Sequence, residues 1–109
     1  MAYDDKLAER VRDVLKGRRD ISEKKMFGGL AFMVRGNMAC GVLGEDLMVR
    51  VGPDVYDDAL QLTGARPMDF TGRPMKGMVY VDKRGHRRKP SLQAWVERGL
   101  SYARSLPPK

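Results

Sequence analysis

The segment from residue 26 to residue 42, MFGGLAFMVRGNMACGV, changes the hydrophobic period of the chain from helical to alternating. Phe27 and then Leu30, Phe32 and Val34 offer an alternating face of large apolar side chains, which is typical of a strand. Gly36 and Asn37 predict a two-residue turn, and Met38–Leu43 predicts a second strand. The segment is therefore predicted to form a β-hairpin. Because helices are predicted before and after it in the chain, the fold must contain both a sheet and helices.

The remaining elements follow from periodicity and from the residues that stop it. Residues 4–16 place apolar side chains at helical spacing and end before Gly17. The other predicted elements are a third strand over 47–51, a helix from Pro53 to Leu62, two strands of which Met78–Val81 is the clearest, and a helix over Leu92–Leu106 capped by Ser91. The order α-β-β-β-α-β-β-α predicts an α+β fold of two layers, with helices against one antiparallel sheet.

A few residues restrict how these elements can pack. Gly99 falls on the buried stripe of the last helix, where only a hydrogen lets the helix lie close to the sheet. Pro67 and Pro74 each remove a donor from a strand ladder, so we expect them at strand starts or at an edge. Val55 is expected to face inward on the helix that follows Pro53.

Size and composition limit the broad class of protein. A chain of 109 residues predicts one domain, residues 1–109, with one core. Its 42% hydrophobic and 32% charged residues are typical of a soluble protein, so no membrane partner is expected. The acidic start MAYDD is unlike a secretory signal. Cys40 is the only cysteine, which excludes an internal disulfide and is consistent with the cytoplasm.

The net charge of +7 is concentrated in one segment, Lys83–Lys89, which carries five positive charges and no negative charge. The rest of the chain has a net charge of only +2. A basic loop here could contact the phosphates of a nucleic acid or another anion in a salt-sensitive and sequence-neutral way. The alternative is a loop whose charges only meet water. The candidate contact residues are Lys83, Arg84, Arg87, Arg88 and Lys89.

The glycines of residues 26–42 raise two further binding hypotheses. A phosphate cradle needs a Gly-rich loop that opens a helix, but here strand follows strand and neither known glycine spacing is present. An RNA-recognition strand needs two aromatic side chains on one exposed face. Phe27 and Phe32 are five residues apart and should face opposite sides, unless a bulge at Gly28 and Gly29 restores the register. The structural interpretation is a bulged strand.

The sequence predicts no catalytic, cofactor-binding or metal-binding residue, because no candidate has a partner that the sequence places beside it. Cys40 and His86 could form a nucleophile and base only if the fold brought them together, and Cys40 is expected to be a small packing residue. An acidic cluster, Asp54, Asp57 and Asp58, resembles metal or acid–base carboxylates, but its members also fall in the first turns of a helix, where negative charge is favoured. The methionines are expected to fill the core.

Four stretches together resemble one protein family. KKMFGGLAFMVRGNMACGV, LMVRVGP, GRPMKGMVYVD and LQAWVERGLSYARSLPP are similar to the TfoX N-terminal domain family over nearly the whole chain. Met26 to Gly29, followed by the turn at Gly36, is the most specific part, and Met75–Gly77 supports it. The best-known members, TfoX or Sxy, regulate natural competence in bacteria.

The resemblance implies a fold like that of secretion chaperones, in the element order given above, and a homodimer. It also implies a regulatory role without enzymatic chemistry, through a transcription-factor partner. The chain is expected to be a single-domain member without the helical C-terminal domain of the competence regulators. The leading hypothesis is therefore a non-catalytic regulatory module that acts through protein contacts. The alternatives are nucleic-acid binding through residues 83–89 and an enzyme that uses Cys40 or His86.

Overall fold

The computed structural model describes residues 3–26, 28–69 and 76–108. The chain forms an α+β fold, as predicted. Its elements are α1 (Asp5–Leu15), β1 (Ile21–Met26), β2 (Gly29–Val34), β3 (Asn37–Leu43), β4 (Asp46–Arg50), α2 (Tyr56–Leu60), β5 (Ala65–Pro67), β6 (Met78–Val81), α3 (Lys83–His86) and α4 (Lys89–Ser105).

One antiparallel sheet of six strands runs through the described residues in the order β1-β2-β3-β4-β6-β5. Helices α1 and α4 pack with the side chains of one sheet face in the main core, where Leu7, Val49 and Leu100 are buried. The opposite face carries a second cluster that includes Met48, Met68 and Tyr80. The predicted core role of the methionines holds for Met48 and Met68, which are both fully buried.

The sheet has one strand more before α2 than the predicted order. Residues Ile21–Met26 form β1 at the edge of the sheet, although the four middle side chains of this strand are exposed. Pattern reading missed β1 because an edge strand with a polar sequence shows no alternation of apolar residues. Pro67 lies in β5 at the other edge, as predicted. Pro74 lies outside the described residues.

The hairpin turn between β2 and β3 lies one residue earlier than predicted. Arg35 and Gly36 form it with φ angles of 51° and 86°, the left-handed pair of a two-residue hairpin turn. Asn37 instead belongs to β3 and pairs with Val34. Its buried side chain donates through Nδ2 to the Pro107 carbonyl at 2.9 Å. The turn prediction was wrong because this contact, which joins residues 70 positions apart, holds Asn37 in the strand.

The helices differ from prediction at their ends. Helix α2 runs from Tyr56 to Leu60 rather than from Pro53 to Leu62, and Val55, expected to face inward on it, precedes the helix and is 43% exposed. Helix α4 begins at Lys89, three residues before the predicted start, so Ser91 is not its N-cap. Pro90 lies in the first turn of α4, where its missing N–H costs no hydrogen bond. The early start is therefore compatible with the sequence, although the sequence reading did not anticipate it.

Close contact between α4 and the sheet depends on Gly99, as predicted. Cys40 pairs with Phe32 and Met38 pairs with Met33, which leaves Ala39 as an extra residue in β3. A Cβ atom on Gly99 would lie less than 3.0 Å from the carbonyl oxygen of Ala39, an approach that real Cβ atoms almost never show. The helix therefore lies directly against the backbone of β3.

We expect Gly99→Ala to lower the free energy of unfolding, because the methyl group must push α4 away from Ala39 at a cost of about 1–3 kcal/mol. This loss opposes the gain of about 1 kcal/mol that alanine brings to a helix interior. Denaturant unfolding measures the change. The control is Ser101→Ala on the exposed side of α4, which should not destabilise. A more stable Gly99→Ala protein would contradict the close packing.

Candidate functional site

The basic segment Lys83–Lys89 is not the loop that the sequence predicted. Residues Lys83–His86 form α3, and α4 starts three residues later. Asp82 caps α3 by accepting a hydrogen bond from the Arg84 amide at 2.9 Å. A Cβ on Gly85 would lie 2.6 Å from the Thr63 carbonyl oxygen, so this glycine lets α3 sit against the loop before β5. The loop prediction was wrong because Gly85 serves close packing here.

The five predicted contact residues separate into two groups. Arg84 pairs with Asp82 at 3.0 Å, and Lys83 lies 3.6 Å from Glu45. The hydrogen bond from Arg84 holds the pKa of the Asp82 carboxyl below its ordinary value. The other three, Arg87, Arg88 and Lys89, are exposed, and no carboxylate of the described residues lies within 4.0 Å of them.

Arg10 of α1 joins this basic surface, and sequence reasoning missed it. Its Nη2 donates to the carbonyls of His86 at 2.8 Å and Arg87 at 3.0 Å. The guanidinium thus closes the C-terminal end of α3 and adds a positive charge beside Arg87. No sequence signal could link Arg10 to His86, because the two residues are 76 positions apart.

The position of these cations is unfavourable for the stability of α4. Arg88 is the N-cap of this 17-residue helix and makes no side-chain capping hydrogen bond. A helix N-terminus carries a partial positive charge, so cations there cost free energy where an acid or a serine would contribute it. Arg87, Arg88 and Lys89 therefore do not serve the fold through this helix end.

The two residues considered for catalysis occupy separate structural positions. Cys40 is 0% exposed in β3, and burial raises the pKa of its thiol to about 12. The reactive thiolate is therefore scarce near neutral pH. Its predicted packing role is confirmed. His86 is 4% exposed and donates from Nε2 to the Glu45 carbonyl at 2.9 Å, while its Nδ1 is buried without a hydrogen-bond partner among the described atoms.

The acidic cluster was expected in the first turns of a helix, and this holds for two of its three members. Asp57 and Asp58 lie in the first turn of α2, as predicted, whereas Asp54 precedes the helix. Across residues 3–26, 28–69 and 76–108, no group of three His, Cys, Asp or Glu side chains is arranged to hold a metal ion.

The glycines of residues 26–42 join and pack strands. Gly28 and Gly36 have positive φ angles at turns. Gly29 and Gly41 lie in strands so close to a neighbouring strand that a Cβ on either would lie less than 3.0 Å from its backbone. Phe32 is 1% exposed in the main core and is not available to stack on a base. Phe27, the other aromatic of the proposed RNA-recognition strand, lies outside the described residues.

A family model, TfoX N-terminal domain, matches residues 13–103. The chain belongs to the TfoX N-terminal domain family. This match confirms the resemblance and supports a regulatory or competence-related module in general for this TfoX N-terminal domain. A search of curated proteins and a search of solved structures each returned no match. No helix in the described part of the chain is long and apolar enough to cross a membrane.

We expect Arg88→Ser to raise the free energy of unfolding by about 1 kcal/mol, because it supplies a capping oxygen and removes a cation from the start of α4. Thermal and denaturant unfolding measure the gain. Lys89→Ser is the matched control: it removes a cation from the same helix end, but its hydroxyl lies at the first helical position and not at the N-cap. Its gain should be smaller. An unchanged or less stable Arg88→Ser protein would contradict the capping argument.

Proposed function

We propose that this TfoX N-terminal domain is a non-catalytic regulatory module that works as a homodimer in the cytoplasm and acts by protein contacts on a transcription factor. The observation that carries the proposal is that the two candidate reactive side chains, Cys40 and His86, are both buried in the fold. The thiol of Cys40 is completely buried, and the His86 ring is bonded to the backbone of Glu45. Neither is presented to a substrate.

Family membership supports the regulatory part of this proposal. The single cysteine, a free and buried thiol, supports a reducing compartment. The contacts of α4 and α1 with the sheet use their apolar sides, which leaves their outward sides for partners. Regulation through surfaces of this kind requires binding without a chemical step.

Affinity capture from the native cells tests the proposal directly. We expect a DNA-binding transcription factor among the captured proteins, and we expect it to remain after the extract is treated with nuclease. Mass spectrometry identifies the captured proteins, and a matrix carrying an unrelated basic domain of similar size is the control. Loss of the transcription factor after nuclease treatment, or its absence throughout, would contradict action by protein contacts.

Direct binding of nucleic acid is the second candidate function. It is favoured by the exposed positive charges of Arg87, Arg88 and Lys89, which have no ion-pair partner within the described ranges. Lys83 and Arg84 contribute less to this surface because each already faces a carboxylate. The guanidinium of Arg10 beside Arg87 adds a fourth charge. Such a surface would contact phosphates and would not distinguish sequences.

Fluorescence anisotropy with a duplex DNA of arbitrary sequence tests this second function. Phosphate contacts from Arg87, Arg88 and Lys89 alone predict that the logarithm of the binding constant falls with the logarithm of salt concentration with a slope of about −3. Arg87→Glu/Arg88→Glu should abolish binding. Lys24→Glu/Lys25→Glu, in the exposed edge strand β1, is the matched control with the same change of charge. Binding that is insensitive to salt, or equally weakened by both variants, would refute this surface.

A further inference from the structure

The outward side of α4 borders a cavity of about 630 Å³. It lies between α4 and the segment that leads into α2, and Val55, Arg98 and Ser101 are among its lining residues. A smaller cavity of about 210 Å³ continues along the same helix towards its N-terminus, where Leu62, Arg84 and Trp95 line it. Ala94 and Arg98 line both cavities. We call this continuous depression the α4 groove.

Both exposed large hydrophobic side chains of the described residues lie in the α4 groove. Val55 is 43% exposed at the end near Ser101 and Tyr102, and Leu62 is 38% exposed at the end near Trp95. Scattered exposed apolar side chains are ordinary on a protein surface. Two of them at the opposite ends of one groove give it two apolar contact points separated along the helix axis.

The exposed side of α4 between these points allows a close approach. Ala94, Ser101 and Ser105 are exposed and small, and they recur at helical spacing, while Glu97, Arg98 and Tyr102 are the larger side chains of α4 in the same lining. Small side chains at such spacing let a second helix lie at a short interaxial distance. The groove therefore has the shape of a seat for a helix.

The charges of the groove are arranged so that it is complementary to itself. Asp54 lies at the Val55 end, and Arg84, which pairs with Asp82 of its own chain and is still exposed, lies at the Leu62 end. At its centre stand Glu97 and Arg98, an acid and a base at adjacent positions. The Glu97 side chain pairs with Arg18 and is still 45% exposed, whereas no carboxylate of the described residues lies within 4.0 Å of Arg98.

We propose that the α4 groove is the surface through which two copies of this chain pair, with their α4 helices antiparallel. The inference rests on the homodimer of the proposed function and names its interface. A two-fold axis that crosses α4 between residues 97 and 98 places Glu97 of each copy beside Arg98 of the other. The same axis sets Ala94 opposite Ser101 of the second copy, so that small residues face small residues along the contact.

The same symmetry also matches the ends of the groove. It carries the Val55 end of one copy to the Leu62 end of the other, so that the two exposed hydrophobic side chains cover each other twice. Asp54 of one copy approaches Arg84 of the second at the same ends. Each of these pairs occurs twice in an isologous interface, so favourable contacts are doubled. An unrelated partner would not present apolar, small and charged positions in the order that the two-fold axis requires.

A charge exchange tests the interface and its register together. Glu97→Arg places two arginines at the centre of each copy, and Arg98→Glu places two acids there, so each single variant meets only like charge in its own dimer. We expect the dissociation constant of each single variant to rise at least about tenfold, because like charges across an interface cost several kcal/mol. An equimolar mixture of the two variants should form a heterodimer, since every central pair is then of opposite sign.

Sedimentation and light scattering over a range of concentrations measure these equilibria, and circular dichroism checks that each variant is folded. Gln93→Arg and Gln93→Glu, on the exposed part of α4 that faces α1, are the matched controls and should leave the dimer unchanged. A wild-type chain that stays monomeric at high concentration overturns both the homodimer and this interface. A dimer unaffected by the single variants, or variants that do not recombine, overturns the interface and leaves the homodimer standing.

Discussion

The contact between Gly99 of α4 and the backbone of Ala39 in β3 sets the distance between the longest helix and the sheet. At this distance the apolar side of α4, with Leu92, Trp95 and Leu100, closes the main core. Polar contacts then hold the C-terminal end of α4: Arg104 binds Asp20 at 3.1 Å, and Asn37 binds the Pro107 carbonyl just after the helix. The hydrogen bond from Arg104 holds the pKa of Asp20 below its ordinary value.

The surface of α4 that does not pack against the sheet has two separate regions. The start of the helix carries Arg87, Arg88 and Lys89 beside Arg10 of α1. The outward side carries the α4 groove. The first region is the candidate contact for the phosphates of a nucleic acid, and the second is the surface that we propose for the homodimer. A dimer through the groove would leave the cations at the start of each α4 outside the central contact, so the two activities do not exclude each other.

Several basic side chains of the chain form ion pairs that join different elements of the fold. Arg12 binds Glu23 at 2.8 Å and ties α1 to β1, and this hydrogen bond lowers the pKa of the Glu23 carboxyl. Arg66 binds Asp46 at 2.6 Å and stacks over the Tyr80 ring at 4.8 Å, which joins β4, β5 and β6 on the second face of the sheet. A net charge of +7 therefore does not by itself mark a surface for polyanions. Pairing decides which charges remain free.

Local periodicity determined the fold class, the bounds of β6, the buried side of α4 and the role of Gly99, because each depends on residues close together in the chain. It also identified the candidate cations, since they are consecutive. Only the tertiary structure decided which of these cations are paired, placed Arg10 against His86, held Asn37 in β3 and left Val55 exposed. These outcomes depend on contacts with residues that are tens of positions away, and a pattern of neighbouring residues does not reveal such contacts. The polar edge strand β1 belongs with them, because its place is fixed by hydrogen bonds to β2 and not by its own side chains.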